Sequence, residues 1–203
     1  MSRTGFFLTL EGGEGSGKST LGRALADTLA AEGVAVCLTR EPGGSAGAED
    51  IRALLVSGEA DRWDAMTELL LLNAARRDHV ERVIRPALAR GETVICDRYL
   101  DSTRAYQGHR GIERERIDRL HGEAVGLMPD RTLILDLDPE AGLARAGKRG
   151  GAARFEAMGL DYHRAIRGAF RAIAAEEPAR CTLLDASLAP EAVLERARAA
   201  LAG

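Results

Sequence analysis

Residues 12–19 read Gly-Gly-Glu-Gly-Ser-Gly-Lys-Ser, directly after the apolar run Phe6–Leu10 and at the head of the amphipathic stretch Ser19–Ala31. The spacing G-x-x-x-x-G-K-S between a strand and a helix constrains this chain more than any other feature. Glycines let successive backbone N–H groups turn inward around phosphate oxygens, and the following helix adds its positive end. In such a cradle Lys18 reaches the β- and γ-phosphates of ATP and the Ser19 hydroxyl ligates Mg²⁺, with Gly12, Gly13, Glu14, Gly15, Ser16, Gly17 and Thr20 completing the nucleotide site. A glycine-rich turn with an accidental lysine is the plainer alternative, but it leaves both flanking elements unexplained.

Four more apolar runs of strand length follow: Val34–Leu38, Thr93–Cys96, Thr132–Leu137 and Cys181–Leu184. They read as strands buried on both faces. Helical patterns separate them, over Ala65–Arg90, Ile112–Val125, Pro139–Ala146, Leu160–Ala175 and Pro190–Leu201. Strand alternating with helix predicts an α/β fold, a five-stranded parallel sheet in a three-layer αβα arrangement, with ligands at the carboxyl ends of the strands. The 203 residues suit one domain, 1–203, with no linker to divide it. Two stretches resist the scheme, Glu41–Ala48 and Gly147–Ala153, and both read as glycine-rich loops.

A phosphate cradle alone leaves kinases, GTPase switches and motor ATPases open. The chain has no N-K-x-D guanine-reading motif, which weighs against a GTPase. The run Thr93-Val-Ile-Cys-Asp97 ends an apolar strand on a carboxylate suited to organising Mg²⁺ and its water shell, although a strand-end aspartate also caps helices. Arg98 follows at once, and a fixed cation beside that carboxylate suits a site that also holds an acceptor's phosphate.

Composition removes other classes. A net charge of -3 gives no electrostatic reason for a nucleic-acid polymer as partner, and no apolar run reaches the length of a membrane span. The three cysteines are too scattered for a disulfide framework and read as small buried hydrophobes. A cytoplasmic enzyme fits best. Of 28 basic residues 26 are arginine, which codon bias explains first; where arginine is the default cation, a lysine at position 18 suggests a site that wants a slim, mobile ammonium.

Longer motifs now enter: E-G-G-E-G-S-G-K-S-T (11–20), T-R-E-P-G-G (39–44), A-A-R (74–76), V-I-R-P-A-L-A-R-G-E-T-V-I-C-D-R-Y (83–99), D-S-T-R-A-Y-Q-G (101–108) and D-A-S (185–187). In this order they resemble the thymidylate kinase family, bacterial type, over essentially the whole chain. The resemblance implies a P-loop nucleotide kinase that transfers the γ-phosphoryl of MgATP to dTMP, giving dTDP in dTTP synthesis, and a homodimer. It implies that Arg40 and Arg98 hold the 5′-phosphate of dTMP and that Glu14 approaches the sugar 3′-hydroxyl. Arg76 then meets a thymine carbonyl, Thr103 lies near the ring N–H edge, Tyr106 presses on the sugar and Gln107 lies close to the base. It also implies a cis Glu41-Pro42 bond. His79, one turn beyond Arg76, reads as structural or exposed rather than as a base.

Three departures carry expectations. Gly15 stands where eukaryotic-type relatives place an arginine; a kinase without that cation needs another for the transferring phosphoryl, and the resemblance implies that it comes from a lid at about 145–156. There Arg149 and Arg154 are the catalytic candidates, with Lys148 weaker, and Ala153 replaces the aspartate usual before the arginine. Leu72 stands where the family usually stacks an aromatic on thymine. Rival readings are another nucleoside monophosphate kinase, a dephospho-coenzyme A kinase, or a non-enzymatic nucleotide sensor.

Overall fold

The computed structural model of the protein describes residues 5–59, 62–147 and 158–202. Five strands, β1 (Phe6–Gly12), β2 (Val36–Arg40), β3 (Thr93–Asp97), β4 (Arg131–Asp136) and β5 (Cys181–Asp185), form one parallel sheet in the order β2-β3-β1-β4-β5. The chain moves outward from β1 on one side and returns to β1's other side for β4. The crevice beyond the carboxyl end of β1 therefore lies at the reversal of strand order, where such sheets bind ligands.

Helices cover both faces. On one face, α1 (Lys18–Ala31) buries Leu21 and Leu25, and α9 (Pro190–Ala202) buries Val193 and Ala197, in one cluster with Leu8, Leu10 and Leu184. On the other lie α3 (Ala65–His79), α4 (Arg85–Ala89), α5 (Leu100–His109), α6 (Arg114–Ala124) and α8 (Leu160–Glu176). Helix α8 is amphipathic at helical spacing and buries His163, Ile166, Phe170 and Ile173. Helices α2 (Ala46–Val56) and α7 (Pro139–Gly147) complete the set among the described residues.

The strands fall within two residues of their expected ends, and β2 runs on to Arg40, which brings that guanidinium to the rim. The expected helix over 65–90 divides. Asp64 starts α3 by accepting from the N–H groups of Met66 and Thr67, but Val80–Ile84 is a π-helical turn before α4. Pro86 has no N–H to give the carbonyl of residue 82, and widening the turn relieves the clash its ring would make there. Two helices, α2 and α5, were not expected. The first begins inside the stretch read as a loop. Cys96 and Cys181 are buried and Cys37 half-buried, all three unpaired.

Candidate active site

The sheet register assembles the site. Arg40 and Leu10 both stand level with Asp97, on either side of β3. The backbone N–H of Glu41 donates to Asp97 O, and that of Arg98 to Leu10 O. Arg98 adopts φ 72°, the left-handed region that a side chain rarely enters. From there one nitrogen, Nη1, donates to Gly12 O (3.1 Å) and Ser102 Oγ (3.0 Å), and Nη2 donates to Glu14 Oε1 (2.7 Å). The guanidinium also lies 5.2 Å over the Tyr106 ring, whose hydroxyl donates to Glu14 Oε1 at 3.1 Å. Burial opposes charge on Glu14, but Arg98 and then Lys18 hold its carboxyl down at about 2.

The glycine loop runs from the end of β1 into α1. Lys18 is buried, its Nζ donating to Gly12 O (3.0 Å), Gly13 O (2.8 Å) and Ser16 Oγ (3.2 Å). Burial, followed by the charge of Arg98, lowers its ammonium to about 8. Ser19 Oγ donates to Asp97 Oδ2 at 2.6 Å, and both face solvent enough to leave room for water. A hydroxyl and a carboxylate side by side form a hard-oxygen donor set that fits Mg²⁺, which keeps several waters. Thr20 is exposed one position beyond. Gly15 has φ +67°, and a Cβ there would stand 1.9 Å from Gly142 O of α7. Position 15 is therefore closed to arginine by the backbone itself.

Beyond the loop opens a cavity of about 280 Å³. Arg40, Arg98, Leu72, Arg76, Tyr106 and Gln107 all line it, as do Glu14 and Thr103. The eight acceptor-side residues expected from sequence thus share one cavity. Arg76 is not a solvated helix charge: it is 2% exposed, with Nε on Glu41 Oε2 (2.6 Å) and Nη2 on Tyr99 O (3.1 Å) and Thr103 Oγ1 (2.9 Å). Its Nη1 and the Oε1 of Gln107 are buried with no hydrogen-bond partner among the described residues. His79 is fully buried and structural, bonded to Thr39 Oγ1 (2.7 Å) and Glu41 Oε1 (3.1 Å). It packs so tightly under Gly44 (φ +91°) that a Cβ there would lie 2.4 Å from its ring. The Glu41-Pro42 bond is cis, as the resemblance implied.

Sequence reasoning missed Arg52, Glu68 and Ser102, which also line the cavity. Arg52 sits on α2 and donates to Pro42 O, with Arg40 depressing its pKa after burial. No spacing motif flags it, because the helix carrying it was not foreseen. The lid candidates Lys148, Arg149 and Arg154 lie outside the described residues.

A phosphate-binding loop joined through one arginine to an arginine-lined cavity defines a P-loop nucleotide kinase. A sequence model described as thymidylate kinase matches residues 10–197. Thymidylate kinase of Caulobacter vibrioides is 58% identical over 191 residues, covering 93% of this chain and 92% of the relative. That of Ruegeria pomeroyi is 55% identical, over 91% of this chain and 89% of its own. The crystal structure of thymidylate kinase from Ehrlichia chaffeensis superposes with a TM-score of 0.81 at 33% identity, covering 97% of this chain and 98% of that one. The chain belongs to the thymidylate kinase family, and its reaction is the phosphorylation of dTMP to dTDP.

Proposed function

We propose that the cavity is the dTMP site and the glycine loop the MgATP site, and that Arg98 joins the two. The observation that carries this reading is the position of Arg98, bonded at once to Gly12 O of the loop and to Glu14 and Ser102 at the cavity wall. An acceptor phosphate on Arg40 and Arg98 would place its oxygen for in-line attack on the γ-phosphorus. The new P–O bond forms as the bond to the bridging β–γ oxygen breaks, and ADP leaves. The acceptor is already anionic, so no strong general base is needed, and catalysis is alignment with charge neutralisation.

Each remaining residue then has a task. Lys18 exchanges its loop carbonyls for phosphate oxygens. Ser19 and Asp97 hold Mg²⁺, which supplies charge neutralisation at the β- and γ-phosphates. Glu14 accepts from the 3′-hydroxyl, and Tyr106, fixed by Glu14, Arg98 and the Phe170 ring 6.2 Å away, crowds a 2′-hydroxyl. The donor Arg76 Nη1 and the acceptor Gln107 Oε1 read the thymine edge, and Leu72 covers its face. Arg149 and Arg154 close over ATP and meet the transferring charge that Gly15 cannot. A cytoplasmic homodimer belongs to the same reading; among the described residues no helix is long and apolar enough to cross a membrane.

A coupled ADP-release assay over a panel of nucleoside monophosphates tests the proposal. Turnover with dTMP, and weakly with dUMP, is expected, and Arg98→Ala should lower kcat by about 10²–10³-fold. Preference for another monophosphate, or wild-type turnover by Arg98→Ala, would overturn it.

A further inference from the structure

Two helix faces meet across the inner end of the cavity. Glu68, Leu72 and Arg76 follow one another at i, i+4 and i+8 on α3, and Thr103 and Gln107 stand at i and i+4 on α5. Residues so spaced share a helix face. Arg76 Nη2 donates to Thr103 Oγ1 at 2.9 Å, and Gln107 Nε2 donates to Glu68 Oε1 at 2.8 Å, so the faces are joined at both ends. The other oxygen of Glu68 accepts from Arg110 Nη1 at 2.8 Å, and Arg110 is itself held by Trp63 O at 2.8 Å.

A glutamine amide can present either its oxygen or its NH₂ to a ligand, and only its other partner decides which. Glu68 is 3% exposed and accepts through both carboxylate oxygens, one from Arg110 and one from Gln107. It takes the NH₂ of Gln107 and leaves the amide oxygen buried and unpartnered among the described residues. Arg76 Nη1 is a donor in the same condition. An unpartnered acceptor and an unpartnered donor on two residues that line the same cavity complement a ring edge that carries both N–H and C=O. Thymine and uracil have that edge. Cytosine presents the reverse, a bare ring nitrogen next to an amino group.

The geometry points to Glu68 as the positioning residue that sets pyrimidine selectivity, by fixing the orientation of the Gln107 amide. The inference rests on the cavity being the nucleotide acceptor site. Its sharpest consequence concerns Glu68→Gln. Arg110 has only donors, so it would claim the amide oxygen of the new glutamine and turn that side chain's NH₂ toward Gln107. Gln107 would then flip and offer its own NH₂ to the base, the pattern that suits cytosine.

The experiment compares kcat/KM for dTMP, dUMP and dCMP in the wild type, Glu68→Gln and Glu68→Asp. Glu68→Gln should lower the dTMP:dCMP selectivity about tenfold or more, with the KM for ATP unchanged. Glu68→Asp, still only an acceptor, should lose rate but keep the selectivity. A selectivity equal in all three, in a wild type that prefers dTMP, overturns the role of Glu68 and leaves the cavity assignment standing. A wild type without preference for dTMP overturns the cavity assignment instead. Should Glu68→Gln not fold, NMR of the wild type decides. The Gln107 side-chain NH₂ signals, assigned with Gln107→Leu, should stay bonded and protected from exchange when dTMP is added; large shifts with loss of protection refute the orientation.

Discussion

At the scale of single residues, the loop lysine and the leucine over the base each carry a measurable consequence. Lys18 is lowered to about 8 in the free protein by burial and by Arg98. A polyphosphate in the loop favours the charged ammonium and raises that value. Nucleotide binding at pH 8 should therefore take up a proton, and affinity should fall as pH rises through about 8. Calorimetry of ADP binding in buffers of different ionisation enthalpy measures the uptake, and Lys18→Met should abolish it; equal enthalpies in all buffers for the wild type contradict the assignment. Leu72 lines the cavity without a ring to stack. Base stacking on an aromatic is worth about 1–3 kcal/mol by alanine substitution, of which leucine keeps the apolar part. Leu72→Phe should lower the dTMP KM several-fold, and an unchanged or higher KM in a folded variant rules the idea out.

At the scale of elements, α5 decides how the cavity is built. Its N-cap residue, Tyr99, supplies no side-chain bond. The cap comes instead from the end of β1: Glu11 accepts from Tyr99 N (2.8 Å), Ser102 N (3.2 Å) and Ser102 Oγ (2.6 Å). A carboxylate at a helix N-terminus is well placed for the dipole, and here it also holds the turn that keeps Arg98 left-handed. Burial, then the charge of Asp101, raises the Glu11 carboxyl from 4.5 to about 7. The folded value lies above the unfolded one, so its stabilising contribution is complete below 4.5 and is lost as pH rises through 7. Glu11→Gln has no such dependence. Its Tm relative to the wild type should therefore improve between pH 5 and pH 8, while its kcat drops through the loosened Arg98; a pH-independent difference in Tm would count against the shift. The same helix explains what sequence could and could not disclose. Strands β1 and β3 were legible because apolar residues fill both of their faces. Helix α5 was not, because it buries Asp101, Thr103 and Gln107 among Leu100, Ala105 and Tyr106, which breaks the apolar period of its inner face. Helix α2 was hidden by Gly43, Gly44 and Gly47 and by burying only Ala48 and Leu55. Motif resemblance brought the α5 residues to the site where periodicity could not. It was silent on Glu68 and Arg52, whose roles depend on what packs against them.

At the scale of the whole molecule, an ionic network ties the cavity wall to the β5 edge of the sheet. Asp101 on α5 is 1% exposed and bonds Arg104 Nη1 (2.8 Å) and Arg180 Nη1 and Nη2 (2.7 and 3.0 Å), the latter arginine just ahead of β5. Arg104 continues to Asp118 on α6 (2.7 Å) and to Glu177 at the end of α8 (2.8 Å). Arg114 joins Glu177 as well. A buried pair adds little over a well-packed apolar substitute, yet removing one partner strands the other, at a cost of about 3–5 kcal/mol. Asp101→Ala should destabilise by about that amount in urea unfolding, and a loss under 1 kcal/mol would show that the network is dispensable. Burial opposes the charge of Asp101, but Arg180 and Arg104 hold its carboxyl below the ordinary 3.8, so its contribution is present above 3.8 and is lost as pH falls. Asp101 also raises Glu11, which pulls stability the other way as pH rises. Glu11 holds the N-terminus of α5 from β1, Asp101 ties the helix to Arg180 beside β5, and the two carboxylates repel each other. Their substitutions therefore cannot add. In a double-mutant cycle at pH 8, Asp101→Asn should cost more in the presence of Glu11→Gln than alone, because the repulsion it would relieve is already gone, once each is corrected for its broken hydrogen bonds by the same cycle at pH 5, where Glu11 is largely neutral. A coupling that does not change between the two pH values would mean that the repulsion is screened and that α5 is held by hydrogen bonds alone.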